Sequence, residues 1–276
     1  MGSLQVSLRF LITDDTFIMI RGNLVKVSFV QMFSSLRVIR LFAVLSSLTG
    51  CGGSVSGDTS GQPSTPIPTV EQSFDFAQGN GGWLTDIADY SPDTAPSDVI
   101  TEIRSLPAPL SGAGFYFSGT NRSDDLFIYG KTKISGLANS TKYRIVVRVD
   151  FATDVPSGCI GVGGAPGESV WVVAAASPSE PLTVFDGGNY RVNIDRGNQS
   201  QGGEQGLVLG NIANSIPACG MRRWETKTVV TPSPSALSVS SDERGTIWIL
   251  VGMDSGFESL SRIYLRRVIV QLVPSA

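Results

Sequence analysis

Lys142-Tyr143-Arg144-Ile145-Val146-Val147-Arg148-Val149-Asp150-Phe151 alternates two kinds of side chain with a period of two. Tyr143, Ile145, Val147 and Val149 fall on one face, Lys142, Arg144, Arg148 and Asp150 on the other, and only Val146 breaks the pattern. Such alternation predicts a strand with one side in a core and one in water, as in an antiparallel sheet. Working outward, strand-sized apolar runs recur at residues 126–134, 168–176, 190–194, 206–209, 224–230, 246–251 and 262–272. Upstream, 99–103 and 115–117 read the same way, and Phe74-Asp75-Phe76 leads through Gly79, Gly81 and Gly82 to Trp83. Turn clusters such as Ser135-Gly136 and 163–167 separate the runs. No long segment has a helical period, so the fold class expected is all-β, an antiparallel two-sheet sandwich in one domain over residues 70–276. The 231–244 stretch (TPSPSALSVSSDER) is expected to be a surface loop.

Composition removes several chemistries. The chain has no histidine, which excludes Ser-His-Asp and Cys-His catalysis, His-ligated zinc and a histidine pH switch. No G-x-S-x-G occurs, and no serine stands three residues before a lysine. Gly130-Lys131-Thr132 ends like a phosphate loop, but Asp125 stands where its first glycine is required. The formal net charge is −3, and the N-terminal fifty residues hold five basic side chains against two acidic, so the remainder is more acidic still. Nucleic acid is therefore excluded as an expected partner.

The N-terminal part reads as an address. Arg37 and Arg40 give a positive region, residues 41–48 (LFAVLSSL) a short apolar one, and Leu48-Thr49-Gly50-Cys51 follows. This ending resembles the lipobox of bacterial lipoprotein signal peptides. The resemblance implies cleavage before Cys51, acylation of its thiol (palmitate among the acyl chains), and a lipid bilayer as partner. The apolar run is far short of the ~20 residues that a spanning helix needs. Met32 would start a signal of ordinary length, so residues 1–31 are expected to be an over-called extension and 32–50 the signal peptide. Residues 51–69, rich in Gly, Ser, Thr and Pro, then read as a flexible tether spanning roughly 25 Å. Gly52 rather than Asp after the cysteine resembles the outer-membrane sorting pattern of some bacteria, so the expected location is the cell envelope, lipid-anchored at the outer membrane. Export also puts Cys159 and Cys219 in an oxidising compartment, where they are expected to pair; two buried free thiols are the alternative.

Several stretches resemble a group of uncharacterised exported bacterial proteins: Gly82-Trp83 with Ala88-Asp89-Tyr90, residues 118–126, 163–169 and 193–199, and Asp254-Ser255-Gly256-Phe257-Glu258. That group implies no activity. The layout, an early aromatic strand with a Gly-Trp turn and a closing strand through Ile263-Tyr264-Leu265 and Val268-Ile269-Val270, is also similar to galactose-binding-like jelly rolls, including many carbohydrate-binding modules. This implies a jelly-roll sandwich with ligand sites at loops or on a concave face.

Candidate site residues are oxygen-bearing loop side chains. Asn121, Asp124, Asp125, Asn193 and Asp195 are candidates for ligand binding, and Asp124, Asp125, Asp195, Asp254 and Glu258 for a hard cation, calcium rather than zinc or copper. These residues are expected to converge in part on one polar site. Side chains of this kind also fix turns through nearby backbone amides, and a pair of carboxylates can serve a glycosidase. Among the tryptophans, Trp171 and Trp248 read as core, and Trp83, beside its glycine turn, as the exposed platform for a sugar. Functionally the expectation is a non-catalytic module binding a glycan or another envelope component, with a carboxylate-dependent glycan hydrolase and a purely structural surface lipoprotein as alternatives.

Overall fold

The structure, a computed structural model, describes residues 15–20, 23–28, 66–233 and 237–275. The expected signal peptide, Cys51 and most of the expected tether lie outside the described residues. The chain divides into two compact units, Met1–Gln62 and Pro63–Ala276. In the first, β1 (Asp15–Ile20) and β2 (Asn23–Ser28) form an antiparallel hairpin.

The second unit contains β3 (Val70–Asp75), β4 (Leu84–Ala88), β5 (Ser97–Ser105), β6 (Ala113–Thr120), β7 (Leu126–Ile134), β8 (Lys142–Thr153) and β9 (Val170–Ser177). An excursion follows, with the short strands β10 (Thr183–Asp186), β11 (Asn189–Val192), β12 (Gly197–Asn198) and β13 (Gln201–Gly202). Then come β14 (Gly206–Asn211), β15 (Glu225–Val230), β16 (Leu237–Ser240), β17 (Ile247–Ser255) and β18 (Leu260–Pro274). One sheet has the order β14-β9-β17-β7-β4. The other, of seven strands, runs β15-β8-β18-β6-β5, with β16 added beside β8 and β3 beside β18. All pairings are antiparallel, and the chain crosses repeatedly between the sheets, giving a jelly-roll β-sandwich.

The core lies where the alternation of β8 places it. Tyr143, Ile145, Val147 and Val149 are completely buried between the sheets, with Phe117, Ile128, Ile249 and Val268 opposite or beside them. Full burial of a side chain of this size contributes roughly 1.5–3 kcal/mol. Cys159 and Cys219 are joined in a disulfide, their Cα atoms 5.5 Å apart.

Three expectations need correction. Trp83 is only 2% exposed, not a surface platform. It packs edge-on against Phe74 and Phe76, over Gly130, where a Cβ would stand 2.9 Å from the indole ring. Conversely, Trp171 and Trp248 are half-buried on the outer side of the five-stranded sheet, outside the inter-sheet core. The 231–244 stretch is not all loop: Leu237 is buried, and β16 pairs with the start of β8.

Candidate functional site

The outer side of the five-stranded sheet is where the excursion between β9 and β14 comes to rest. Phe127, Tyr129, Val173, Ala175 and Leu250 point outward there and pack under Val192 and Ile194. Gly252 keeps the surface low, since a Cβ at that position would lie 2.4 Å from the Phe127 ring. At one end of the sheet Ala88, Phe127, Asp254 and Trp171 stand side by side on neighbouring strands. The excursion drops Arg196 onto this row, its guanidinium 3.8 Å from the centre of the Phe127 ring.

Arg196 holds two carboxylates, and a third lies beside them. Its Nη1 donates to Asp254 Oδ2 at 2.5 Å, and its Nη2 donates to Asp89, the residue just after β4. Asp254 Oδ2 also accepts the Gln199 amide at 2.7 Å. Asp125, just before β7, completes the group: one oxygen from each of Asp89, Asp125 and Asp254 lies within 4.8 Å of the others. Arg196 and Asp254 are buried, Asp254 with no exposed side-chain surface. The Asp125 and Asp254 Oδ1 atoms are both buried, with no hydrogen-bond partner among the described residues. Burial, reinforced by the charges of Asp254 and Asp89 and only partly offset by Arg196, pushes the Asp125 carboxyl up to about 8. Burial likewise raises Asp89, against the pull of Arg196. Burial alone would lower Arg196, but the two carboxylates it holds raise it above its ordinary value.

Asp89 and Asp125 open onto a cleft of about 320 Å³ that is also lined by Tyr90, Ser123, Asn189 and Arg191. A smaller recess of about 180 Å³ adjoins it beside Arg196 and Asn198. Asp89 sits at φ 64°, and its amide donates to the Tyr190 carbonyl, which ties the end of β4 to the β10–β11 hairpin. Tyr90 stacks on Tyr190 with ring centres 4.9 Å apart, and Phe185, 60% exposed, continues the aromatic run at 5.1 Å. The cleft thus has carboxylates on its floor, amide and guanidinium donors on its wall, and aromatic rings leading away from its rim.

Of the residues singled out in the sequence, Asp125 and Asp254 meet in the cluster. The others have separate tasks. Asn121 is buried and donates to the Ser255 carbonyl at 2.7 Å while accepting from the Ser123 amide, which fixes the β6–β7 turn. Asp124 is exposed at φ 62°, and its carbonyl accepts from Gln199. Asn193 closes the β10–β11 hairpin through the Leu182 amide and the Glu180 carbonyl. Asp195 adjoins the recess, but its oxygens accept from the Gly197 and Glu204 amides. Glu258 is exposed, with its Cγ packed against Gly163. A five-carboxylate cation site at Asp124, Asp125, Asp195, Asp254 and Glu258 is therefore not what the fold assembles. Asp89 and Arg196 were missed as site residues, although Ala88-Asp89-Tyr90 and residues 193–199 lay within the stretches that carried the resemblance.

No family model matches this chain, and no curated protein matches it. Among solved structures it is similar to TmCBM27, a carbohydrate-binding module studied for specific mannan recognition, at 10% identity and TM-score 0.37 over 74% of this chain and 98% of that one. The K3 cleaved adhesin domain of Lys-gingipain from Porphyromonas gingivalis matches at 12% identity and TM-score 0.35, over 74% and 99%. The xylan-binding module CBM15 matches at 12% and 0.33, over 76% and 100%. Likenesses this distant decide neither the ligand nor the site, which rest on the geometry above.

Proposed function

We propose that this protein is a lipid-anchored component of the cell envelope whose sandwich binds a glycan without transforming it. The observation that carries this reading is the cleft between Asp89, Asp125, Asn189 and Arg191, with the Tyr90–Tyr190–Phe185 run at its rim. A saccharide presents hydroxyl groups at its edges and C–H groups on its faces. Carboxylate acceptors together with guanidinium and amide donors match the first, and an exposed aromatic surface matches the second. A glycan array probed with the purified full chain is expected to return at least one ligand. Arg191→Ala should weaken that ligand by at least about tenfold, as for loss of a charged hydrogen bond. An array with no hits, or binding untouched by both Arg191→Ala and Tyr190→Ala, would overturn the reading.

The spacing of the carboxylates favours one alternative. Oxygens of Asp89 and Asp125 lie no more than 4.8 Å from one another, so the two carboxyls are paired as the short, roughly 5 Å spacing of a retaining glycoside hydrolase requires and not set wide apart as in an inverting one. New reducing ends, released from the array ligand by the native chain and not by Asp89→Asn, would establish that alternative in place of simple binding.

A further inference from the structure

We infer that Asp89, Asp125 and Asp254 form a binding site for one divalent cation, calcium, held beside Arg196 at the floor of the cleft. Two independent observations lead there. The first is geometric: the three carboxylate oxygens fall within 4.8 Å of one another, the separation of ligands across an ion bound at about 2.3–2.6 Å. The second is a lack of partners. Arg196 and the Gln199 amide engage Asp254 Oδ2, yet among the described residues Asp254 Oδ1 has no donor although its side chain is completely buried, and Oδ1 of the half-buried Asp125 is likewise an enclosed atom without a donor. Buried oxygens of this kind cost free energy unless something supplies positive charge to them.

Charge balance favours a divalent ion. With all three carboxylates ionised, as ligands of a cation are, they exceed the single guanidinium by two negative charges in a largely buried space, and one divalent ion brings the group to neutrality. The ligand set is all oxygen, with no histidine in the chain and the Cys159 and Cys219 thiols joined to each other, which selects a hard cation over zinc or copper. Calcium accepts irregular geometry and completes its shell with water, for which the cleft beside Asp89 and Asp125 gives access. The inference shares Asp89 and Asp125 with the glycan cleft but does not depend on glycan binding, because its test contains no sugar.

The test is thermal unfolding of the purified full chain in chelator and in calcium chloride. At a hundredfold excess over Kd, calcium should raise Tm by roughly 5–10 °C. Asp125→Asn should abolish that rise and also raise Tm in chelator, because it removes a carboxyl group that burial beside Asp254 and Asp89 disfavours. Asp124→Asn, a change to the neighbouring exposed carboxylate, should leave the calcium response intact. Coincident wild-type curves would overturn the inference, and so would a full calcium response in Asp125→Asn. Terbium luminescence, sensitised by Tyr90 and Tyr190 beside the cleft, reads the wild-type site without any variant: a signal displaced by calcium supports the site, and its absence overturns it.

Discussion

Gly130 and Trp83 show how one residue's surroundings can reverse the reading of its neighbours in sequence. Trp83 follows three glycines, a setting that suggests a flexible, exposed turn. Its destination is decided instead by Gly130 on β7, whose missing side chain leaves room for the indole beneath Phe74 and Phe76. Gly130→Ala would set a methyl group 2.9 Å from Trp83 and 3.2 Å from Phe117, both buried. The expected cost is about 1–3 kcal/mol, read from the denaturant midpoint at unchanged slope. An unchanged midpoint would mean that the Trp83 pocket is not closely packed. Asp89 and Arg196 escaped the sequence reading for a related reason. Each looks like an isolated polar loop residue, and only the folding of the excursion onto the Phe127 row brings them within bonding distance.

Strands were the most legible elements. β7 falls on residues 126–134 as its apolar run suggests, and β8 extends the alternating stretch by two residues to Thr153. β16 was hidden because proline and serine crowd its approach, whereas Leu237 and Val239 need only four residues to extend the sheet beside β8. The β10–β13 excursion gave no signal of where it would lie. Its apolar residues are few, and the surface that receives it is formed by alternate residues of four other strands. The disulfide was legible from the cysteine count together with the oxidising compartment that the signal-like N-terminus leads one to expect. It ties the loop after β8 to the loop before β15, closing a 60-residue separation. Replacing both cysteines by alanine should cost up to about 4 kcal/mol by chain entropy. Hydrogen exchange should rise first in those two loops, while uniform loosening of both sheets would show that the bridge supports the whole sandwich instead.

At the scale of the whole molecule, β3 pairs with the final half of β18, so the chain enters the sandwich beside Leu272, at the end away from Asp254 and the Leu260 end of β18. The anchoring proposed for Cys51 is checked by Cys51→Ala, which should leave the membrane fraction or remain unprocessed in mass. Continued fractionation with membranes at an unchanged processed mass would remove the anchor from the proposal. The fold class was legible because each long strand carries its own signal, period-two alternation in β8 and strand-sized apolar runs in β7, β9 and β17. The candidate site was legible only in part, because its charges come from four places in the chain and meet through tertiary packing alone.

The position of β3 also has a mechanical meaning. From Leu260 to Leu272, β18 extends for roughly 40 Å at the usual strand rise. A pull on the sandwich through its N-terminal segment, resisted by a ligand gripped at the cleft, would act along β3 and β18. Hydrogen bonds between antiparallel strands lie across that direction, so the β3–β18 ladder would be loaded in shear, its bonds sharing the force together instead of opening one after another.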